Sequence, residues 1–118
     1  MALVISSVGD RGVLAHERTG FKIKADCNLK NFTLFKAIFT SEGFRNSSSA
    51  SYWFPPQKVK LGDRVVVYTR AGSDSYMANE DGSTTYFRYW GLDEVIYSSK
   101  NDGIVLSNVV SWSLSKDI

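Results

Sequence analysis

Short stretches of apolar and β-branched residues recur along the chain and are separated by turn residues. The clearest is the run VVVYT at 65–69, whose β-branched and aromatic side chains fit a pleated strand better than a helix. Its uninterrupted apolar character predicts a central strand that is covered on both faces. The residues Leu61, Gly62 and Asp63 just before it predict a turn, because glycine adopts positive φ without a Cβ clash.

The remaining pattern predicts further strands and no helix. Residues 21–26 alternate apolar and charged side chains, which is typical of a strand with one face in water. The predicted strands are 3–8, 21–26, 32–40, 52–54, 65–69, 86–90, 104–106 and 109–114. Residues 41–51 and 70–85 are rich in Ser, Gly and Asp and are predicted as loops. The sequence therefore predicts an all-β, immunoglobulin-like β-sandwich of about eight strands.

Composition narrows the class of protein. The chain has 118 residues, 43% hydrophobic and 22% charged, which predicts one globular domain over residues 1–118. Its net charge of +2 is too balanced to indicate a nucleic-acid or membrane partner by itself. No apolar run reaches the roughly 20 residues of a membrane span, so no membrane association is predicted. The lone Cys27 and the absence of a signal-peptide pattern predict a cytoplasmic protein.

Catalytic and metal-binding patterns are weak. The chain has one histidine, His16, and no serine in a Gly-x-Ser-x-Gly context, so we predict that it is not an enzyme; a hydrolase built on His16 is the remaining enzymatic hypothesis. One His and one Cys do not make a zinc site. Residues 74–82 collect oxygen ligands that suit calcium but lack EF-hand spacing, which favours a solvated loop. No cofactor is predicted.

The aromatic segment 86–90, YFRYW, is the most suggestive feature. Strand alternation sends residues 86, 88 and 90 to one face and residues 87 and 89 to the other. If the first set is exposed, it forms a Tyr-Arg-Trp surface of the type enriched at protein interfaces, and alanine at Arg88 or Trp90 should remove partner binding without affecting thermal unfolding. The simpler interpretation is that the Arg88 side chain lies over a buried tryptophan and has only a packing role. The predicted partner-binding residues are Tyr76, Tyr86, Arg88 and Trp90.

Three kinds of partner remain open. A second protein is favoured, and the same surface could pair with another copy of the chain as a homodimer. The alternative function is a nucleic-acid-binding accessory domain that uses the lysines of the early strands, Lys22, Lys24, Lys30 and Lys36. Charged residues along strands also deter edge-to-edge pairing, which is the simpler role for these lysines.

Several segments in order resemble one known family. They are Glu17-Arg18 before the strand at Phe21, NLKNFTL at 28–34, WFP at 53–55, VKLGDRVVVY at 59–68 and NDGIVLSN at 101–108. Together they resemble the lamin tail domain, an immunoglobulin-like β-sandwich, over roughly residues 2–113. The segments 70–85 and 86–90 depart from the family pattern. The resemblance implies a binding or scaffold module, in a stand-alone form of bacterial or phage type.

Overall fold

The computed structural model describes residues 1–117, except for the side chains of residues 46–49 and 117. Ten strands are present in these residues: β1 Leu3–Gly9, β2 Arg18–Ile23, β3 Cys27–Asn28, β4 Phe32–Thr40, β5 Gly43–Trp53, β6 Lys58–Val59, β7 Arg64–Tyr68, β8 Ser75–Ala78, β9 Thr84–Tyr89 and β10 Asp102–Asn108. Helical structure in the described part is limited to two 3-10 turns, Leu29–Asn31 and Ser115–Asp117. No helix among the described residues has the length and apolar character needed to cross a membrane.

The strands form a sandwich of two main sheets. One sheet has five strands in the order β1-β2-β7-β9-β8, and the other has three in the order β10-β4-β5. A small third sheet pairs β3 with β6. The pair β7–β9 is parallel and every other pair is antiparallel. The all-β prediction is confirmed, and β7 lies in the middle of its sheet. Its burial alternates, with Val65 and Val67 buried and Arg64 exposed, so the prediction that this strand is covered on both faces is wrong.

The core lies between the two main sheets. Phe21 and Val65 from the five-stranded sheet meet Phe32 and Leu34 from the three-stranded sheet in one apolar cluster. Phe54, just before the two prolines, packs edge-on against Phe21 with ring centroids 6.0 Å apart. These residues are almost completely buried, so this cluster supplies the main hydrophobic stabilisation of the domain.

Two predicted loops contain strands. Residues 43–53 form β5, which pairs with β4, so the prediction of a loop over 41–51 is wrong. The serine-rich sequence can form a strand because strand pairing uses backbone N–H and C=O groups, whichever side chains the strand carries. Within 70–85, β8 forms a hairpin with β9, closed by a turn in which Gly82 has φ 87°.

The predicted last strand is absent. Residues 109–114 form no ladder, although the backbone N–H of Val109 donates to the Asn31 carbonyl at 2.7 Å. The exposed fraction of Val110 is 92%, so the alternation in this segment does not mark a buried face. The Trp112 ring instead contacts the Trp53 ring edge-on, with centroids 5.5 Å apart.

The turn before β7 depends on Gly62. Its φ is 93°, and its N–H donates to the Ile23 carbonyl at 3.1 Å. We expect Gly62→Ala to lower the free energy of unfolding by about 1 kcal/mol, because a Cβ is strained at positive φ. Gly62→Asn should recover part of this loss, since asparagine tolerates such backbone angles better. Urea denaturation measures both, and equal stability of Gly62→Ala and the wild type would contradict the strain.

Candidate binding surfaces

Arg88, predicted as an exposed interface residue, lies inside the protein. Its exposed fraction is 7%. Its Nη1 donates to the Ser75 carbonyl at 3.2 Å and to the Phe87 carbonyl at 2.9 Å. Its Nη2 donates to Gln57 Oε1 at 3.3 Å. The Nε lies 3.7 Å from a carboxylate oxygen of Asp74. Arg88 therefore bonds the start of β8 to β9, and the expectation that its side chain is exposed is wrong. We accordingly expect its alanine variant to lose stability.

Trp90 is likewise part of the packing. Its ring is half-buried against the core, and its Nε1 donates to the Ser51 carbonyl of β5 at 3.1 Å. The Tyr52 ring lies 5.9 Å from the Trp90 ring. Burial, with a smaller effect of the Asp74 carboxylate, raises the pKa of Tyr52 to about 12, although Arg88 opposes the shift. Trp90 thus contacts the other sheet through the Ser51 carbonyl and the half-buried Tyr52 ring.

Tyr76 is the predicted site residue that is open to solvent. Its exposed fraction is 75%, and its ring lies 6.3 Å from the half-buried Tyr86 ring. The Arg88 guanidinium lies over the Tyr86 ring, 5.6 Å from its centroid. Three of the four predicted residues therefore form one continuous series, in which Tyr76 faces the solvent and Arg88 the interior.

The strand that carries Tyr76 is an open sheet edge. All four residues of β8, from Ser75 to Ala78, are exposed, and β8 pairs with β9 alone. The strand contains no charged residue and no proline, and its pairing with β9 is regular. Met77 adds a second large apolar side chain, with an exposed fraction of 52%. We call this strand the β8 edge; it lacks the features that usually block strand addition.

The opposite edge of the same sheet is different. The pairing of β1 with β2 shifts register between Ile5 and Ser7, which places a bulge at Ser6. Such an irregularity twists an edge and hinders pairing with another chain. Asp10, which follows β1, also forms an ion pair with Arg18 at 2.7 Å.

Acidic residues flank the β8 edge at both ends. Asp74 precedes the strand, and Glu80 and Asp81 follow it in the hairpin turn. Hydrogen bonds from the Ser83 hydroxyl and backbone N–H hold the pKa of Asp81 below its ordinary value. The edge is therefore an uncharged strand with acidic side chains at both ends, of which Asp74 is paired with Arg88.

The outer face of the five-stranded sheet brings together residues that the sequence analysis did not group. Val65 and Val67 are buried in the core, so Val66 and Tyr68 point outward. The parallel register places Phe87 beside Val66 and Tyr89 beside Tyr68. We call the outward residues Lys22, Arg64, Tyr68, Arg70, Phe87 and Tyr89 the basic aromatic face. The alternation in 86–90 already put residues 87 and 89 together, but only strand pairing brings Tyr68 and the basic residues to them.

The lysines of the nucleic-acid hypothesis do not form one cluster. Lys22 is exposed on β2, and Lys24 follows that strand. Lys30 lies in the 3-10 turn Leu29–Asn31, and Lys36 lies on β4 of the other sheet. The structure therefore separates this predicted set and puts Lys22 beside Arg64 instead.

The remaining candidate chemistry is dispersed. His16 is exposed, and Cys27 is half-buried in β3. Burial, with a smaller effect of Asp26, raises the pKa of the Cys27 thiol, which disfavours the reactive thiolate. Residues 74–82 form β8 and its hairpin turn, and nowhere in the described part do three or more His, Cys, Asp or Glu side chains gather in a way that could hold a metal ion.

Comparison of the chain with protein-family models, with curated proteins and with solved structures finds no match. The resemblance to the lamin tail domain therefore stays a prediction that rests on the residues quoted above. The cytoplasmic location and the partner also stay predictions.

Proposed function

We propose that this chain is a non-enzymatic protein-binding module that takes up an extended segment of a partner protein along the β8 edge. The observation that carries the proposal is the exposure of all four β8 residues in an uncharged, regular strand at the end of the sheet. A strand in this position pairs with β9 on one side and leaves its other row of backbone N–H and C=O groups for a new strand.

Side chains on the β8 edge give the contact some specificity. Successive residues of a strand point to opposite faces, so Tyr76 and Met77 each flank an added strand from a different side. Tyrosine and methionine are enriched at protein interfaces because each provides a large contact area. Arg88 is a positioning residue, because its guanidinium donates to the Ser75 carbonyl and so fixes the start of the strand.

The charges at the ends of the edge indicate what kind of segment fits. Glu80 and Asp81 favour Lys or Arg at their end of the segment. Asp74, whose charge Arg88 partly balances at 3.7 Å, adds a weaker preference for a basic residue on the other side of the uncharged stretch. Two copies of β8 that pair antiparallel bring Asp74 of one copy towards Glu80 of the other. This like-charge contact disfavours the homodimer relative to a basic partner.

The resemblance to the lamin tail domain supports the same class of function, because members of that family are mostly binding or scaffold modules. The segments 70–85 and 86–90, which depart from the family pattern, contain the β8 edge and the strand that supports it. The proposed partner is therefore specific to this chain rather than shared across the family.

Selection of random linear peptides on the purified protein tests this function. We expect the enriched peptides to carry an uncharged β-forming stretch between basic residues, and to bind Tyr76→Lys at least about tenfold more weakly than the wild type, since an edge lysine deters strand pairing and Tyr76 supplies contact area. Ser6→Lys, on the bulged β1 edge, is the matched control and should bind like the wild type. Peptides that bind Tyr76→Lys and the wild type equally would refute the assignment.

A further inference from the structure

We propose that the basic aromatic face binds single-stranded nucleic acid, with phosphates at its Lys22–Arg64 end and bases on its rings. The face is on the broad side of the five-stranded sheet, so this inference is independent of strand addition at the β8 edge. It rests on three observations: a row of aromatic rings, a basic depression next to it, and an excess of positive charge around both.

The rings form a row across two neighbouring strands. Tyr68 and Tyr89 are stacked, with centroids 5.1 Å apart and ring planes within 12° of each other. Phe87 lies 6.5 Å from Tyr68 with its plane tilted by 32°. All three are half-buried, although no second layer of strands lies over this face among the described residues. Nucleobases stack on such rings whatever their identity, because every base has a π-face.

Arg70 closes one end of the row. Its guanidinium lies 5.3 Å from the Tyr68 centroid and 5.2 Å from the Tyr89 centroid. Its Nε donates to the Ala15 carbonyl and its Nη1 to the Ala71 carbonyl, each at 3.0 Å. The cation is therefore held in place before any ligand arrives, which reduces the entropy lost on binding.

A basic depression lies at the other end. Lys22, Lys24 and Arg64 line a hollow of about 280 Å³ with the turn at Gly62. Asp63 also borders it, but both carboxylate oxygens accept backbone hydrogen bonds, from Thr84 and Lys60 at 2.9 Å each. The Asp63 carboxylate is thus already hydrogen-bonded within the protein. The three basic side chains are the groups that can bind a phosphate.

Basic residues outnumber acidic residues around the basic aromatic face. Arg18, which borders the face beside Tyr68 in the strand pairing, has an ion-pair partner in Asp10. The described residues show no such partner for the basic residues of the face itself. Asp81 approaches from the β8–β9 hairpin, where Arg64 contributes to holding its pKa down. Positive charge next to stacking rings fits an anionic polymer with free base faces, which a single strand has and a duplex does not.

Fluorescence anisotropy with a labelled oligothymidylate of about 12 nucleotides tests the inference. We expect binding at low salt that weakens about 20- to 50-fold between 50 and 200 mM salt, as contacts to three or four phosphates require. Arg64→Glu should weaken binding about tenfold, and Phe87→Leu, which removes the ring but keeps an apolar contact with Tyr68, about three- to tenfold. Circular dichroism of each variant verifies that it is folded.

Arg45→Glu is the matched control, because Arg45 is exposed on β5 of the other sheet. It should bind the oligonucleotide like the wild type. No binding at low salt, an equal loss in Arg45→Glu, or equal affinity for a duplex of the same length would each overturn the proposal. Polyglutamate that binds as tightly as the oligonucleotide would overturn it too, and would identify the face as a general polyanion site.

Discussion

Glu17→Gln is expected to lower the free energy of unfolding by about 3–5 kcal/mol, or the melting temperature by roughly 12–20 °C for a domain of this size. The Glu17 side chain is fully buried in the segment that leads into β2. Its carboxylate accepts four hydrogen bonds: from Gly12 N at 3.1 Å, Tyr97 N at 3.1 Å, Ile96 N at 2.8 Å and Thr69 Oγ1 at 2.5 Å.

These four donors explain the size of the effect. They come from the loop before β2, from the end of β7 and from the segment between β9 and β10, so one side chain joins three parts of the chain. A glutamine at this position offers one acceptor oxygen and turns an amide N–H₂ towards backbone donors. At least one buried N–H then loses its partner and the charge-assisted bonds are lost as well.

The contribution of Glu17 also depends on pH. Burial alone raises the pKa of Glu17, but the hydrogen bonds from Thr69, Ile96, Gly12 and Tyr97 outweigh it, so the net pKa lies below its ordinary value. A carboxyl pKa that is lowered by folding adds stability that is complete above the unfolded pKa and is lost as the pH falls through the folded pKa. The stability difference between wild type and Glu17→Gln should therefore be constant above about pH 6 and shrink below about pH 4.

Denaturation of both proteins in urea across this pH range measures the effect. Glu42→Gln, at an exposed position, is the matched control and should stay within about 0.5 kcal/mol of the wild type. A Glu17→Gln protein as stable as the Glu42→Gln protein at neutral pH would show that the buried carboxylate does not join the three segments.

Arg88→Ala is expected to lower the free energy of unfolding by about 2–4 kcal/mol. The substitution empties a buried site and leaves Gln57 and the Ser75 carbonyl without their guanidinium partners. Arg88→Lys should recover less than half of the loss, because a single ammonium cannot reproduce the planar fork that bonds several acceptors. The amides of β8 should exchange with deuterium faster in both variants, since Arg88 fixes the start of that strand.

Arg45→Ala provides the control, because this arginine is exposed on β5. Hydrogen exchange followed by mass spectrometry, with urea denaturation, separates a local change in β8 from a loss of global stability. An Arg88→Ala protein with the stability and β8 exchange of Arg45→Ala would mean that Arg88 does not position the edge.

The strands that face the core could be predicted from the sequence, whereas those held by backbone pairing could not. The predicted bounds of β4 match residue for residue, and β7 differs by one residue at each end, because their apolar side chains reflect burial directly. The serines of β5 and the polar hairpin around β8 carry no such pattern, and partner strands determine their structure. In 109–114 the alternation is present without a partner strand, so no ladder forms.

The binding surfaces, too, could be predicted from the sequence only in part. Alternation separates residues 86, 88 and 90 from residues 87 and 89 correctly, but it cannot say which set is buried. That choice follows from the pairing of Val65 with Tyr86 and of Val67 with Arg88, which turns Arg88 to the core. Tyr76 belongs to the predicted set, yet its exposure at a sheet edge depends on a hairpin that the sequence presents as a loop.

Photo-crosslinking at the β8 edge tests the central claim most directly. A benzophenone side chain at Met77 in an extract of the source cells should form an adduct whose crosslinked peptide is an uncharged stretch flanked by Lys or Arg. The adduct should disappear when Tyr76→Lys is added and should not form with the benzophenone at Ser6. No adduct at position 77, the same adduct at both positions, or an adduct with the mass of two copies of this chain would contradict strand capture from a partner protein.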